Sequence, residues 1–551
     1  MRYDFYPEKA QYRPGEDVRL CCAGVPECRG TLRIYHLFRL IEERTVEVCE
    51  ENPIDAGSYE DTFAGYGAEL TLTLPLAPPR DEIRLVTAFD VTRDPGRVVR
   101  YGFLSDFGPG EDDTEDVDVL RRYHINFVQY YDWSYRHDDL TAEREVYTDM
   151  MGREVDQRAV RAKIEACRRY GMRSLGYGAV YAASRAYYEA HPEQGLYTGA
   201  GDPLVFIDTF YLMNVEQSCP WHDHIISEYV KAVREVGFDG IHMDTYGFPK
   251  TAFTRDGRLL RMDEHYAGLI GDAGKALDAL GTESHLIFNN VGNWPVAPVA
   301  KARQDAVYIE VWEPYTTYGH LRQIILDAQR ACGGQKPVVL AAYLAPFRTD
   351  APFRALNAAR LLLAGTASCG ASNLLLGEKN GVLTQGYYVD HSHLSEEQAD
   401  IIRRYADFIV RYEELFFDTN LKDVSFTHIG WDNTEYCCES HPWSPDGQAG
   451  RLWLTLREGR QRKMISIVNL CGCDNRWNEG KETPVPQENV TFQVQVDTQA
   501  LGVWIASPDG VSGMTGVPYH TIRTQRGWAV RFTLPLVEFW SLIYIQQENT
   551  Q

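Results

Sequence analysis

From about residue 98 to residue 417 the chain switches eight times between a short apolar run and a longer amphipathic one. The short runs are Tyr101 to Phe107, Asn126 to Asp132, Met172 to Tyr181, Phe238 to Asp244, His285 to Asn290, Ala306 to Trp312, Pro337 to Leu344 and Ala371 to Gly377. The stretches Glu115 to Tyr123, Gln157 to Tyr170, Trp221 to Val236, Glu264 to Leu280, Tyr318 to Cys332 and Phe353 to Ala367 carry apolar residues at helical spacing. Strands separated by helices lie parallel, because a parallel crossover needs a connection of that length. Eight such units is the number that closes a (β/α)8 TIM barrel. A doubly wound sheet would also alternate, but polar and aromatic residues at the end of every strand favour the barrel, whose active sites gather on that rim.

On either side the rhythm is different. Residues 1–97 contain Val18 to Ala23, Thr31 to Leu37, Thr45 to Val48, Glu69 to Leu74 and Ile83 to Asp90, short strand-like runs between Pro and Gly turns, which suggest an N-terminal Ig-like β-sandwich. After a helical stretch from Ser395 to Phe416, residues 418–551 return to short strands: Trp453 to Leu456, Met464 to Asn469, Val490 to Val496, Val503 to Ala506, Ala529 to Thr533 and Phe539 to Ile545. They predict a C-terminal antiparallel β-sandwich. The reading is therefore a multidomain chain: sandwich 1–97, barrel 98–417, sandwich 418–551.

A net charge of −23 argues against a nucleic-acid surface, which needs a Lys/Arg excess. No run approaches the roughly 20 apolar residues of a membrane span. No secretory leader pattern opens the sequence, and the 12 cysteines, two pairs of them adjacent, form no disulfide or zinc framework, so a cytoplasmic protein without metal is expected. No G-x-S-x-G elbow, P-loop or H-E-x-x-H is present, and no cofactor is implied. His222 and His224 are two apart and do not share a helix face, which disfavours a metal site there. The 33 Tyr and 11 Trp offer flat faces with polar tips, which suit a sugar cleft as well as a core.

The stretch Gly237-Phe238-Asp239-Gly240-Ile241-His242-Met243-Asp244 begins with a helix-stopping glycine and ends a buried strand in a carboxylate. A second carboxylate, Glu310, sits inside the apolar run Val307-Tyr308-Ile309-Glu310-Val311-Trp312. Charges placed in such runs are costly unless they face a partner or a cleft. Two carboxylates over one barrel mouth are what glycoside cleavage needs: one ionised to attack, one protonated to donate. Asp244, near Thr245 and backbone donors, suits the ionised role, and Glu310, among apolar neighbours, suits the protonated one; Glu313 is a rival acid. Tyr131, Asp132, Trp133 and His137, within Tyr130-Tyr131-Asp132-Trp133-Ser134-Tyr135-Arg136-His137, read as a sugar subsite or as a packed loop anchor. Tyr177, His242, Asn289, Asn290, Trp312 and Tyr343 complete the expected substrate-binding rim, with the loop Gly377 to Gly381 a weaker candidate.

The motifs resemble glycoside hydrolase family 66, the dextranases and cycloisomaltooligosaccharide glucanotransferases. The resemblance rests on Phe127 to Trp133 with Arg136-His137, Gly237 to Gly240 leading to Asp244-Thr245, Val307 to Trp312, Tyr318 to Leu321, Ala341 to Tyr343, Gly381 to Leu383 and Ala506 to Asp509. It implies that Asp244 is the nucleophile, that Glu310 is the acid/base, and that α-1,6-glucan is cleaved with retention. An oligo- or polysaccharide is then the one expected partner. The family tends to carry Trp-Gln/His-Gly before the nucleophile; here the residues are Ile241-His242-Met243, which changes the wall beside Asp244. The carbohydrate-binding insertion of the glucanotransferases is not visible, which favours a hydrolase over the first alternative, a transglycosylase making cyclic or longer isomaltosaccharides; the alternative of another class is a non-catalytic carbohydrate-binding protein.

Overall fold

The computed structural model describes residues 3–73, 82–510 and 513–548. Its centre is an 11-stranded sheet. In chain order the strands that build the site are β1 (Tyr101–Leu104), β2 (Phe127–Tyr130), β3 (Arg173–Ala179), β4 (Gly240–Asp244), β5 (His285–Val291), β6 (Ala306–Glu310), β7 (Val338–Ala341), β8 (Ala371–Asn373) and β9 (Leu376–Gly377). Each of β1 to β7 pairs in parallel with the next, and β9 pairs in parallel with β1. Only Leu374 and Leu375 separate β8 from β9, so the sheet curls until one short stretch of chain touches both of its sides. Two short antiparallel strands, Gly381–Val382 and Ser392–His393, extend it beyond β9.

The strands are buried almost throughout, as parallel strands covered on both faces must be. Tyr101, Phe103, Phe127, Leu175, Ile287, Tyr308, Val339 and Leu374 fill the inside of the curl. The opposite side chains of the same strands meet helices through Val160, Ile164, Ile225, Leu269, Ile324 and Leu361. Side chains hold the helix ends in place: Asp156 caps Gln157–Arg169, Thr317 caps Tyr318–Ala331, and Ser395 forms a capping box with Gln398 on Glu396–Arg411. Before β4, Pro220–Lys231 widens into a π-turn at Ala232–Val236 and stops at Gly237, whose φ of 100° only glycine adopts without strain. Gly240 then opens β4, and any side chain there would collide with the His285 backbone carbonyl. Two glycines thus aim the strand that carries Asp244.

N-terminal to this sheet, a three-stranded and a four-stranded sheet enclose Val18, Leu20, Leu32, Ile34, Tyr66, Leu70 and Phe89. C-terminal to it, a seven-stranded and a four-stranded sheet enclose Leu454, Ile465, Phe492, Phe532 and Ile543. Buried ions tie the N-terminal region to the centre: Arg100 bonds both Asp90 (2.8 Å) and Glu413 (3.0 Å).

Most strands and helices expected from the sequence are found; several of those in the central sheet end earlier, while flanking strands such as Arg39–Val48 and Gly527–Val537 run longer. The runs expected to form the central sheet stop at Leu104, Tyr130, Ala179, Glu310 and Ala341, where the backbone leaves the sheet. Asp4–Pro7, Ile54–Ser58 and the solvent-facing Tyr519–Thr524 were not legible as strands, because their short or polar sequences carry no apolar alternation. Leu74, placed at the end of an N-terminal strand, lies outside the described residues. No helix among the described residues is long and apolar enough to cross a membrane.

Candidate active site

The strand ends of the curled sheet open onto a cleft of about 590 Å³. Asp244 is the last residue of β4 and Glu310 the last of β6, with β5 between them. Asn289, on β5, joins the two: its Nδ2 donates to Asp244 Oδ1 at 2.7 Å and to Glu310 Oε2 at 2.9 Å. Only the NH2 end of an amide can serve two carboxylates, so the Asn289 orientation is fixed by its neighbours. Its two hydrogens diverge by roughly 120°, which sets the two acceptor oxygens roughly 5 Å apart. The second oxygen of each acid has its own tyrosine. Tyr177 donates to Asp244 Oδ2 at 2.7 Å, and Tyr343 donates to Glu310 Oε1 at 3.1 Å.

The two acids differ electrostatically. Burial pushes Asp244 up to about 6, against the bonds from Asn289, Tyr177 and the Thr245 backbone. Burial and the Asp244 charge together push Glu310 to about 7, against bonds from Asn289, Tyr343 and Trp312. Asp244 thus ionises first and holds the proton on Glu310. The Thr245 hydroxyl, expected beside Asp244, instead donates to the Asn289 carbonyl.

Asp132 is a third acid facing the cleft, raised to about 7 by burial and by Asp149 and Asp244, with Arg153 pulling the other way. Its charge partner is Arg153, 3.7 Å away, while Arg136 lies on the Tyr135 ring. His242 and His137 are held neutral by burial, at about 3 and about 4. Tyr131, Asp132, His137, Tyr177, His242, Asn289 and Tyr343 all line the cleft with the two acids, and Trp312, 44% exposed, stands at its mouth.

Several expected rim residues lie elsewhere. Trp133 is fully buried, packs on Phe238 and donates to the Tyr177 carbonyl. Asp132 has a φ of 51°, and this left-handed step turns the next residue under the rim. Asn290 is also fully buried and bonds the Phe288 and Tyr308 carbonyls, because it alternates away from Asn289 along β5. Glu313 is exposed and outside the cleft. Glu378 anchors the loop after β9 through Ser105 and Asp106, and Lys379 pairs with Asp106 and Glu111. His222 bonds the Val215 carbonyl and His224 the Asp138 carbonyl. Among the described residues no group of three or more metal-ligating side chains occurs.

Sequence reasoning missed one lip of the cleft. The hairpin Val205–Phe206 with Phe210–Leu212 brings in Phe206, Ile207 and Phe210, and Phe206 stacks on Tyr246 at 4.3 Å. Tyr387 and Tyr388, after β9, close the other side.

The cleft brings together stacking rings and two carboxyls of unequal proton affinity, an arrangement able to act on a sugar. The chain belongs to glycosyl hydrolase family 66, whose family model matches residues 7–544, and it is a glycosidase. It is 23% identical to a cycloisomaltooligosaccharide glucanotransferase of Niallia circulans over 709 aligned positions, covering 99% of this chain and 72% of that protein. It is 23% identical to a dextranase of Streptococcus salivarius, over 72% of this chain and 56% of that one. Among solved structures, a Paenibacillus sp. cycloisomaltooligosaccharide glucanotransferase complexed with cycloisomaltoheptaose superimposes with a TM-score of 0.87 at 22% identity, covering 98% of this chain and 99% of that one. A maltogenic alpha-amylase of Thermotoga neapolitana reaches 0.52 at 11% identity, over 82% of this chain and 99% of that one.

Proposed function

We propose that the protein is an endo-acting, retaining glycosidase that hydrolyses α-1,6-linked glucose in dextran or isomaltooligosaccharides. In this reading the curled sheet is a (β/α)8 barrel of residues 98–417, set between β-sandwiches of residues 1–97 and 418–551. Asp244 attacks the anomeric carbon and forms a glycosyl ester, while Glu310 gives its proton to the departing glycosidic oxygen. Once esterified, Asp244 no longer repels a second charge, so Glu310 ionises more readily and takes a proton from the attacking water.

The observation that carries this is the shared Asn289 donor. It supports a spacing of roughly 5 Å, which suits a covalent intermediate; inverting enzymes need about 6.5–9.5 Å to fit a water. Tyr131, Asp132, His137, Tyr177, His242 and Trp312 would hold the rings and hydroxyls of the substrate. The α-1,6 linkage is taken from the relatives' names.

A second reading, transglycosylation to cyclic or longer isomaltosaccharides, is favoured by the likeness to glucanotransferases over nearly the whole chain. Against it, the 709-position alignment shows that the Niallia relative carries segments this 551-residue chain lacks. Incubation with dextran, isomaltooligosaccharides, amylose and pullulan, followed by sizing of the products, tests both. Linear isomaltose-type fragments from dextran are expected. Cyclic products would establish the transferase, and no cleavage of any α-1,6-glucan would overturn the substrate assignment.

A further inference from the structure

Behind Glu310 runs a feature that cleavage by two carboxylates does not require. Tyr308 Oη lies 3.0 Å from Tyr388 Oη, which lies 3.1 Å from Tyr343 Oη, which donates to Glu310 Oε1 at 3.1 Å. Tyr308 points into the inside of the curled sheet from Glu310's own strand and is fully buried. Among the described residues its hydroxyl has a single hydrogen-bond partner, Tyr388.

Each tyrosine has one proton to give. Tyr343 spends its proton on Glu310, so it accepts from Tyr388, which in turn accepts from Tyr308. The three bonds therefore point one way, toward the carboxyl. Running the chain backwards would let Glu310 bury its own proton against Tyr343, but it would strand the Tyr308 hydrogen in an apolar interior without an acceptor, which costs the desolvation of that group.

We propose that Tyr308, Tyr388 and Tyr343 form a one-way hydroxyl chain that keeps the exchangeable proton of Glu310 facing the cleft and favours release of that proton. They are positioning residues, and the proposal rests on the reading of Glu310 as the acid/base. No tyrosine ionises, since burial raises all three well beyond the working range. The other titratable groups that face Glu310 are Asp244 on β4 and Tyr131 after β2. Neither is a cation, so the chain, Asn289 and the Trp312 ring N–H are what oppose burial and the Asp244 charge. Bonds in series polarise one another, so the influence of each hydroxyl falls with its distance from the carboxyl.

The test is the pH profile of kcat/KM for Tyr308→Phe, Tyr388→Phe and Tyr343→Phe on an isomaltooligosaccharide. The alkaline limb should move upward in a graded order: roughly 1–2 pH units for Tyr343→Phe, roughly 0.3–0.6 for Tyr388→Phe, and less for Tyr308→Phe. KM should stay unchanged in Tyr308→Phe, whose hydroxyl cannot reach substrate. A merely structural loss would lower the melting temperature or the maximum rate without moving the limb. Limbs of both Tyr388→Phe and Tyr308→Phe that coincide with the parent overturn the proposal. Glu310→Gln, assayed on a nitrophenyl α-isomaltoside whose leaving group needs no proton, separates the two claims. Loss of the limb there upholds the acid/base reading whatever the tyrosine variants do, and a retained limb sinks that reading and the chain with it.

Discussion

Removing the amide between the two acids, as Asn289→Ala, should do more damage than any other single truncation that spares the acids themselves. One nitrogen serves Asp244 at 2.7 Å and Glu310 at 2.9 Å, and among the described residues no other side chain bonds both. A hydrogen bond to a charged group contributes about 1.5–3 kcal/mol net, so losing both, with partial replacement by water, costs the reaction about 3–4 kcal/mol. At 1.36 kcal/mol per tenfold, kcat/KM should fall by about 10²–10³. The pH profile should move as well. The Asn289 bond lowers both carboxyls, which burial holds at about 6 and about 7. Without it both rise, so the acidic limb, which needs Asp244 ionised, and the alkaline limb, which needs Glu310 protonated, shift together to higher pH. Asn289→Asp, which turns the donor into an acceptor and adds a third charge, should be at least as damaged at neutral pH. The assay is kcat/KM on isomaltooligosaccharide from pH 4 to 9, with a melting curve to confirm folding. A folded Asn289→Ala enzyme within tenfold of the parent, with both limbs unmoved, would refute the idea that this amide sets the pair.

Three further outcomes follow from the same geometry. Because burial raises Asp244 from 3.8 to about 6 and Glu310 from 4.5 to about 7, the folded state binds these protons more tightly than the unfolded chain. That stability is present below about pH 4 and is lost as pH rises through 6 and 7. Discounted for their partial exposure, each charge costs about 2 kcal/mol at pH 8, so Asp244→Asn and Glu310→Gln should raise the melting temperature by a few degrees at pH 8 and by less toward pH 4; equal melting at both pH values would contradict this. Trp133→Ala should destabilise by about 3–5 kcal/mol, as large buried side chains do, and show a lowered melting temperature; unchanged melting with a raised KM would restore Trp133 to the cleft. Trp312→Ala, at the exposed mouth, should raise KM about 2–10-fold with kcat nearly intact, the scale of one lost stacking contact; a KM within error of the parent would remove Trp312 from substrate binding.

The strand order and the two acids were legible because both rest on local signals: an apolar run of fixed length, a glycine stop, and a carboxylate where a charge is costly. Asp244 ends the run in which the sequence placed it, and Glu310, read inside a run reaching Trp312, ends its shorter strand. Facing direction was harder to read. Asn289 and Asn290 are identical neighbours, and only the pleat of β5 decides that one reaches the cleft and the other the interior. Tyr131, Asp132 and Trp133 look like one aromatic subsite until the left-handed Asp132 breaks the alternation. Phe206, Ile207, Phe210 and Tyr388 come from long rim segments without periodicity, and nothing local says that they meet Tyr246 or Tyr343. The pairing of Asp132 with Arg153, twenty-one residues on, is likewise a tertiary fact. Strand ends carry their own sequence signal, whereas loops acquire meaning only once folded.

The central claim is that the two acids on β4 and β6 cleave through a sugar ester on Asp244. Proton NMR of the anomeric signals during the first minutes of α-1,6-glucan cleavage, before mutarotation, tests it most directly. The account predicts that the new reducing ends appear as the α-anomer and relax toward the β-anomer with time. First-formed β-anomer would mean that water attacks directly, and the covalent role of Asp244 would be wrong.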